Sequence, residues 1–374
     1  MRTARRATTA LAIGAAAALI GTTPAIAATA TWHVAKTFGA HQFLTSVVTV
    51  NSKDAWTFGG TGFQSQTAVR PVANHWNGKS WHDSPLPKGV SGSWIFGAGA
   101  SSASDVWAVG GQGEIGQGPA FALHWNGSKW AIAKRWNTSS WATGIAVVGP
   151  GDVWVLGSAF GLGTWHFNGH SWTSVKTGSL PAKASVVSGK NIWAVGFGPL
   201  GIGNPMYISR YNGKAWATVS GNGLPSDTGQ PNTGKPYQLI GWDDVAAISA
   251  NDVWASGSLN KSSDGTQIAH TGLLVHWNGK SWTSLTVPQS SNVAHITSDG
   301  NGGLWVSSPA QYGVAIRHLS KSGHWATATV LGTGGKTVSF NDLARVPGAT
   351  SIFGVGSLGG SGINGTSVVF RYGT

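Results

Sequence analysis

The side chains able to do acid–base or metal chemistry in this sequence are few, and most of them repeat. Among 374 residues there are 12 Asp plus Glu, and Glu114 is the single Glu. Cys is absent, which excludes a disulfide framework, a thiolate zinc site and a cysteine nucleophile. His75, His124, His166, His276 and His318 hold one repeated position, which Arg210 and Arg371 take in two other copies. A position that accepts Arg is not a metal ligand, so these side chains are expected to hydrogen-bond across a sheet. Asp54, Asp105, Asp152 and Asp252 also repeat, at a turn before a strand, where short acids cap backbone amides. Outside the repeats stand Asp243-Asp244, Asn341-Asp342, Asp227, Tyr237 and five Trp: Trp94, Trp136, Trp141, Trp165 and Trp242.

These leftovers define the chemistry within reach. The apolar face of a pyranose stacks on an indole, while Asp, Asn and backbone amides hold its hydroxyls. Trp94, Trp141, Trp242, Asp243, Asp244, Asp342 and Tyr237 are therefore the candidate ligand-binding residues, for a glycan or wall polymer. Glycoside hydrolysis usually wants two carboxylates flanking one bond. Asp244 and Asp342 are a conceivable pair, but they open strands in different repeats. No HExxH, GxSxG or P-loop pattern occurs, so no catalytic residue is assigned. No cofactor is assigned either, although the oxygen ligands of the Asp-rich loops would favour calcium if a metal bound.

The elements that must position these residues follow from an internal repeat. One phrase, Asp-Val-Trp-Ala-Val-Gly, begins at Asp54, Asp105, Asp152, Asn191 and Asp252, with decayed copies around Trp305 and Phe353. A second, His-Trp-Asn-Gly-x-x-Trp, begins at His75, His124, His166, Arg210 and His276, with looser copies at His318 and Arg371. The last copy stops before its closing Trp, and the missing piece appears at the other end as Thr31-Trp32-His33-Val34. Trp32, Trp81, Trp130, Trp172, Trp216, Trp282 and Trp325 then close seven units about 49 residues apart. A ring, unlike a solenoid, has reason to split a repeat between its termini. Each unit reads as four strands, with Asn-Gly as a type I′ hairpin signal between the third and fourth. The expected fold is all-β: a single seven-bladed β-propeller of four-stranded blades over residues 28–374, closed by the N-terminal strand completing the last blade. Sixteen of the 21 Trp fall in the two phrases and are expected as core filler between blades.

The paired DVWAVG and HWNGxSW phrases resemble those of secreted bacterial β-propeller repeat proteins, broadly kelch-like or like the central domain of galactose oxidase. Thr297-Ser298-Asp299-Gly300 up to Trp305 is similar to the Asp-box and sensor-propeller turn. The resemblance implies the fold. A galactose-oxidase-like copper site would need a Cys crosslinked to Tyr, which this chain lacks.

In such a fold the loops joining strand 2 to 3, and one blade's strand 4 to the next blade's strand 1, share one face. Trp94, Trp141 and Trp242 stand just before a first strand, and the longest insertion runs from Ser220 to Trp242. Function is expected on that face. Location is written at the N-terminus: Arg2, Arg5 and Arg6, apolar Leu11 to Ile20, and Ala25-Ile26-Ala27 read as a cleaved signal peptide over residues 1–27. Its removal would take the net charge from +12 to +9 and leave no second span of membrane length. The positive charges are scattered, which argues against nucleic acid and for weak attraction to an anionic wall polymer. The sequence thus points to a secreted, non-catalytic binding module for a glycan or surface polysaccharide. An interaction scaffold for other secreted proteins is the alternative, and a polysaccharide hydrolase or lyase comes third.

Overall fold

The structure is a computed structural model that describes residues 30–373, apart from 40–41, 63–68, 114–117, 138, 158–160, 199–205, 222, 232, 310–315 and 361–364. The expected signal peptide and Glu114 lie outside the described residues. Each repeat folds as one antiparallel sheet of four strands joined in sequence order. The seven inner strands are Gln42–Asn51, Ser93–Ser102, Gly144–Gly149, Leu180–Ser188, Tyr237–Ser249, His295–Ser298 and Val338–Arg345. Each packs against the inner strand of the next blade, and the seventh packs against the first. That closed cycle makes a seven-bladed β-propeller.

Closure follows the split repeat. Strand Trp32–Thr37 pairs antiparallel with Thr366–Tyr372, placing Trp32 opposite Tyr372 and Val34 opposite Phe370. It thereby becomes the outer strand of blade 7. A two-residue strand, Val330–Leu331, adds to it in parallel, so this sheet alone has five strands.

The repeated aromatic residues explain why blades stack. The second-strand Trp of one blade meets the closing Trp of the next nearly edge-on. Trp56–Trp130, Trp154–Trp216, Trp193–Trp282 and Trp305–Trp32 have ring centroids 5.3–5.8 Å apart at 76–90°. Phe353 does the same against Trp81 across the closing seam. Edge-to-face geometry is the favoured aromatic arrangement, and each indole also removes a large apolar area from water. The repeated His donates from Nε2 to Oδ1 of the repeated Asp: His75–Asp54, His124–Asp105, His166–Asp152 and His276–Asp252 lie at 2.8–2.9 Å. In blade 4 both partners change together, and Arg210 Nε donates to Asn191 Oδ1 at 2.9 Å. The cross-sheet hydrogen bond expected at this position is therefore present. The Asp residues differ from expectation: they serve His and, in three blades, the indole N–H of the phrase Trp. The turn amide of Lys53 is instead capped by Asn51.

The Asn-Gly loops also differ from a type I′ turn. Gly78 takes φ +89°, but among the described residues the only positive-φ residue other than Gly is Gln289. The Asn77 side chain instead accepts from the N–H groups of Lys79 and Ser80, making a four-residue loop with an Asx cap.

The Gly that ends the first phrase has a steric cause. Inner strands carry a β-bulge at Leu44/Ser46, Ile95/Gly97, Pro181/Lys183, Trp242/Asp244 and Phe340/Asp342. The second-strand residue facing each bulge is Gly59, Gly110, Gly196, Gly257 or Gly356. A Cβ on any of them would stand 1.8–2.2 Å from a carbonyl oxygen of the inner strand. Bulges bend a strand and re-aim the side chain that follows, so this Gly is the condition for what points at the axis.

Two substitutions test this account. Trp32→Ala, at a residue fully buried in the closing seam, should cost about 3–5 kcal/mol in urea unfolding. Gly110→Ala should cost roughly 1–3 kcal/mol despite adding a single methyl group. A wild-type urea midpoint for either variant would refute the corresponding claim.

Candidate functional site at the channel mouth and the blade 4–5 cleft

The residue after each of these five bulges, and its register equivalent in blades 3 and 6, occupies one position around the axis. Going round the ring these are Ser46, Gly97, Gly144, Lys183, Asp244, His295 and Asp342, each paired two residues beyond the second-strand Trp or Phe. Four consecutive blades thus offer titratable groups and the other three offer Ser, Gly and Gly. All of them but His295 line a central cavity of about 210 Å³, to which blade 6 contributes Ile296 and Thr297 instead.

Lys183 reaches across this cavity. Its Nζ lies 3.2 Å from Asp342 Oδ1, 3.4 Å from His295 Nδ1 and 3.7 Å from Asp244 Oδ1. Burial opposes the lysine charge, but the flanking Asp244 and Asp342 more than offset it and hold Lys183 above the ordinary lysine range. Burial drives the Asp244 carboxyl up to about 6; Lys183 pulls against this rise and the like charge of Asp342 adds to it. Asp342 is also buried, yet Lys183 and the hydrogen bonds it accepts keep it below the usual carboxylate range. Burial, reinforced by Lys183, lowers His295 to about 3, so its imidazole is neutral. With Nδ1 accepting from Lys183, Nε2 carries the hydrogen.

Both carboxylates have a second task. Asp342 Oδ2 accepts from Val47 N–H and Ser46 Oγ in the next blade, each at 3.0 Å. Asp244 Oδ2 accepts from Ile296 N–H in the next blade at 3.0 Å, while its Oδ1 takes its own Val245 N–H. These two residues staple adjacent inner strands together. Asn341, beside Asp342, donates to Leu44 O at 2.7 Å across the same seam.

The structure brings Asp244 and Asp342 to one lysine, and sets Asp243 exposed beside them within hydrogen-bonding reach of Asn292. It does not leave the aromatic residues open. Trp94, Trp141, Trp242 and Tyr237 are only 4–6% exposed, which corrects the expectation of stacking platforms. The cause is bare backbone in the preceding blade: a Cβ on Gly60 would strike the Trp94 ring at 2.5 Å, and one on Gly111 the Trp141 ring at 1.9 Å. These indoles fill seams. Spacing alone did not single out Lys183 and His295. The register position they share with Asp244 and Asp342, counted back from each phrase Trp, is the signal that finds them.

A second concavity lies on the same face. Blade 5 has the longest inner, second and third strands of the ring, at 13, 11 and 9 residues, so it rises above its neighbours. The insertion before it folds back onto this wall: Thr228 bridges Gln238, and Asp227 Oδ1 accepts from Ile240 N–H at 2.8 Å. Burial raises the Asp227 carboxyl above its ordinary range. Between wall, insertion and blade 4 runs a cleft of about 530 Å³, lined by Met206, Tyr207, Ile208, Leu224, Ile240 and Trp242 among others.

Among the described residues no group of three or more His, Asp or Glu stands close enough to hold a metal ion. The place between Asp244 and Asp342 is taken by the lysine ammonium. Nor, among these residues, is any helix long and apolar enough to cross a membrane.

No protein-family model matches the chain, and no curated protein does. Solved structures do. YCF48 bound to a D1 peptide aligns at TM-score 0.59 and 12% identity, over 92% of this chain and 97% of that one. YCF48 from Cyanidioschyzon merolae aligns at 0.55 and 9%, over 92% and 98%. The GH74 xyloglucanase from Xanthomonas campestris aligns at 0.57 and 14%, over 87% of this chain and 53% of its own. At such identities the likeness establishes the propeller fold alone.

The carboxyl environments make a signed prediction. Folded Asp244 binds its proton more tightly than the unfolded chain, whose ordinary value is 3.8. Its contribution to stability therefore falls as pH rises from about 4 to 6. Asp342 acts oppositely: its contribution is full above the unfolded value and is lost as pH falls through its lowered one. Asp244→Asn, which keeps an acceptor for Ile296, should remove the decline between about pH 4 and 6 and leave the acid limb. Urea midpoints across pH would show it; a difference between variant and wild type that stays flat over that window rules it out.

Proposed function

We propose that this chain is an exported binding propeller whose loop face holds a polypeptide segment of a partner. The observation that supports this reading is the blade 4–5 cleft: largely apolar, of a volume suited to one or two large side chains, and walled by the two longest irregularities of the repeat. Concave apolar sites with a few placed polar groups are the usual form of a recognition pocket. Export rests on the basic, apolar and small-residue pattern of the first 27 residues. A propeller of similar fold, YCF48, has been seen with a D1 peptide bound. The glycan reading loses its stacking surfaces with the burial of Trp94, Trp141 and Trp242. Catalysis by Asp244 and Asp342 is disfavoured because their oxygens already serve Lys183 and the neighbouring blades.

Selection from a displayed random-peptide library is the direct test. Enriched peptides should share an aromatic or branched aliphatic anchor. Leu224→Asp should weaken them by about 2 kcal/mol, roughly thirtyfold, as for a central anchor contact. Retention on a glycan array, with no peptide enriched, would overturn this reading in favour of polysaccharide.

A further inference from the structure

Lysines that lie far apart along the chain meet at the end of the ring opposite the cleft. In each blade the turn between strands 1 and 2 and the turn between strands 3 and 4 lie at that end. Blade 1 shows the register: Asn51 pairs with Asp54, Ala55 with Trp76 and Trp76 with Trp81. The indole N–H of Trp76 donates to Ser52 O and that of Trp125 to Ala103 O, tying the two turns of a blade together. Thr49 Oγ1 donates to Arg345 O at 2.7 Å, so blades 7 and 1 finish level. These turns carry Lys53, Lys79, Lys129, Lys190, Lys214, Lys280 and Lys321, every one of them exposed.

Glycine sets how some of them stand. A Cβ on Gly78 would lie 3.0 Å from Lys53 Cβ and Cγ, and one on Gly213 would lie 2.9 Å from the same atoms of Lys190. The stem of each lysine thus crosses the bare glycine of the facing turn and leaves its ammonium to solvent. Lys79 and Lys214 are the next residues after those glycines, so blades 1 and 4 each bring two like charges together. Among the described residues Lys183 is the only lysine in an ion pair. The acids of these turns, Asp54, Asp105, Asp152, Asp252 and Asp299, each hold a repeated His, and none is as exposed as the lysines. Of the exposed acids, Asp83 is on an outer strand, and Asp243 and Asp264 lie toward the loop face. Charge that is scattered in the sequence is therefore gathered on one end of the disc.

We propose that this end of the ring is an adsorption surface for an anionic lipid bilayer. A bilayer presents phosphate over a plane and meets the lysines of blades 1, 2, 4, 5 and 6 at once, whereas a linear polyanion has to bend round the ring to do so. Basic side chains held near such a surface each add to the attraction and need no fitted pocket. The chain also enters the ring here, since Trp32 pairs with Tyr372, which is level with Ile352 at the start of a second strand. The stretch read as an export signal therefore joins the propeller on the lysine side. The choice of a bilayer rests in part on that export reading; the lysine face does not. Adsorbed this way, the disc turns its loop face and the blade 4–5 cleft away from the membrane.

Co-sedimentation with vesicles tests the assignment and is read separately from peptide selection. The protein used is the chain without residues 1–27, which keeps every strand of the ring. Vesicles of phosphatidylglycerol and phosphatidylcholine in about equal parts should carry it down, and pure phosphatidylcholine should not. Raising salt from about 0.05 M to about 0.5 M should release it. The variant Lys53→Gln/Lys79→Gln/Lys190→Gln/Lys214→Gln keeps most of each stem and should partition at least about tenfold more weakly. Lys88→Gln/Lys235→Gln/Lys261→Gln/Lys336→Gln removes as much charge from exposed residues of the loop side, and should weaken partitioning less than about threefold. Thermal melts confirm that each variant is folded. Equal loss in the two variants, equal binding to the two lipid mixtures, no binding to the anionic vesicles, or capture of soluble polyphosphate in place of vesicles would each overturn the proposal.

Discussion

A sheet that radiates from an axis always has one strand without a neighbour, and the polar edge of that strand faces the centre. Unpaired backbone donors and acceptors in a confined space are costly unless something satisfies them. In this propeller two of these edges are answered from the blade behind, blade 1 by Asp342 and blade 6 by Asp244. Those carboxylates can point there because a bulge re-aims them, and the bulge fits because the facing residue is Gly. The phrase Gly, the bulge and the axial acid form one unit, and the geometry of the mouth depends on it.

This unit also explains why the repeats diverge where they do. The outer half of every blade must meet its neighbour in the same way, so His, Asp and the edge-on Trp recur with little change. Where the partner is lost the pair is exchanged together, as in Arg210 with Asn191. At the axis seven residues meet one another rather than seven copies of one interface. Substitution there alters a shared space, and Ser46, Gly97 and Gly144 on one side against Lys183, Asp244, His295 and Asp342 on the other are the result.

The ring, its blade number and its seam were legible in the sequence because periodicity and the split repeat are properties of order along the chain. Placing Val34 beside Phe370 needed only the counting of Trp. The hydrogen bond at the repeated His was legible from its replacement by Arg. Exposure was not. Trp94 and Trp141 look like free indoles until register shows Gly60 and Gly111 beneath them, and a buried ring and an open one have the same spacing. Lys183 sits in Pro-Ala-Lys-Ala, with no acid near it in the chain, so its pairing with Asp244 and Asp342 exists only in the closed ring.

Closure has a consequence for how the molecule comes to be folded. Trp32 pairs with Tyr372, 340 positions later. Long-range pairing of this kind slows folding more than it costs stability, since loop entropy grows only with the logarithm of length. During synthesis the first strand made waits for the last, and Trp305 of blade 6 keeps an open flank until Trp32 arrives. The hydrophobic seam between blades 6 and 7 is thus complete only when both ends of the described chain are in place.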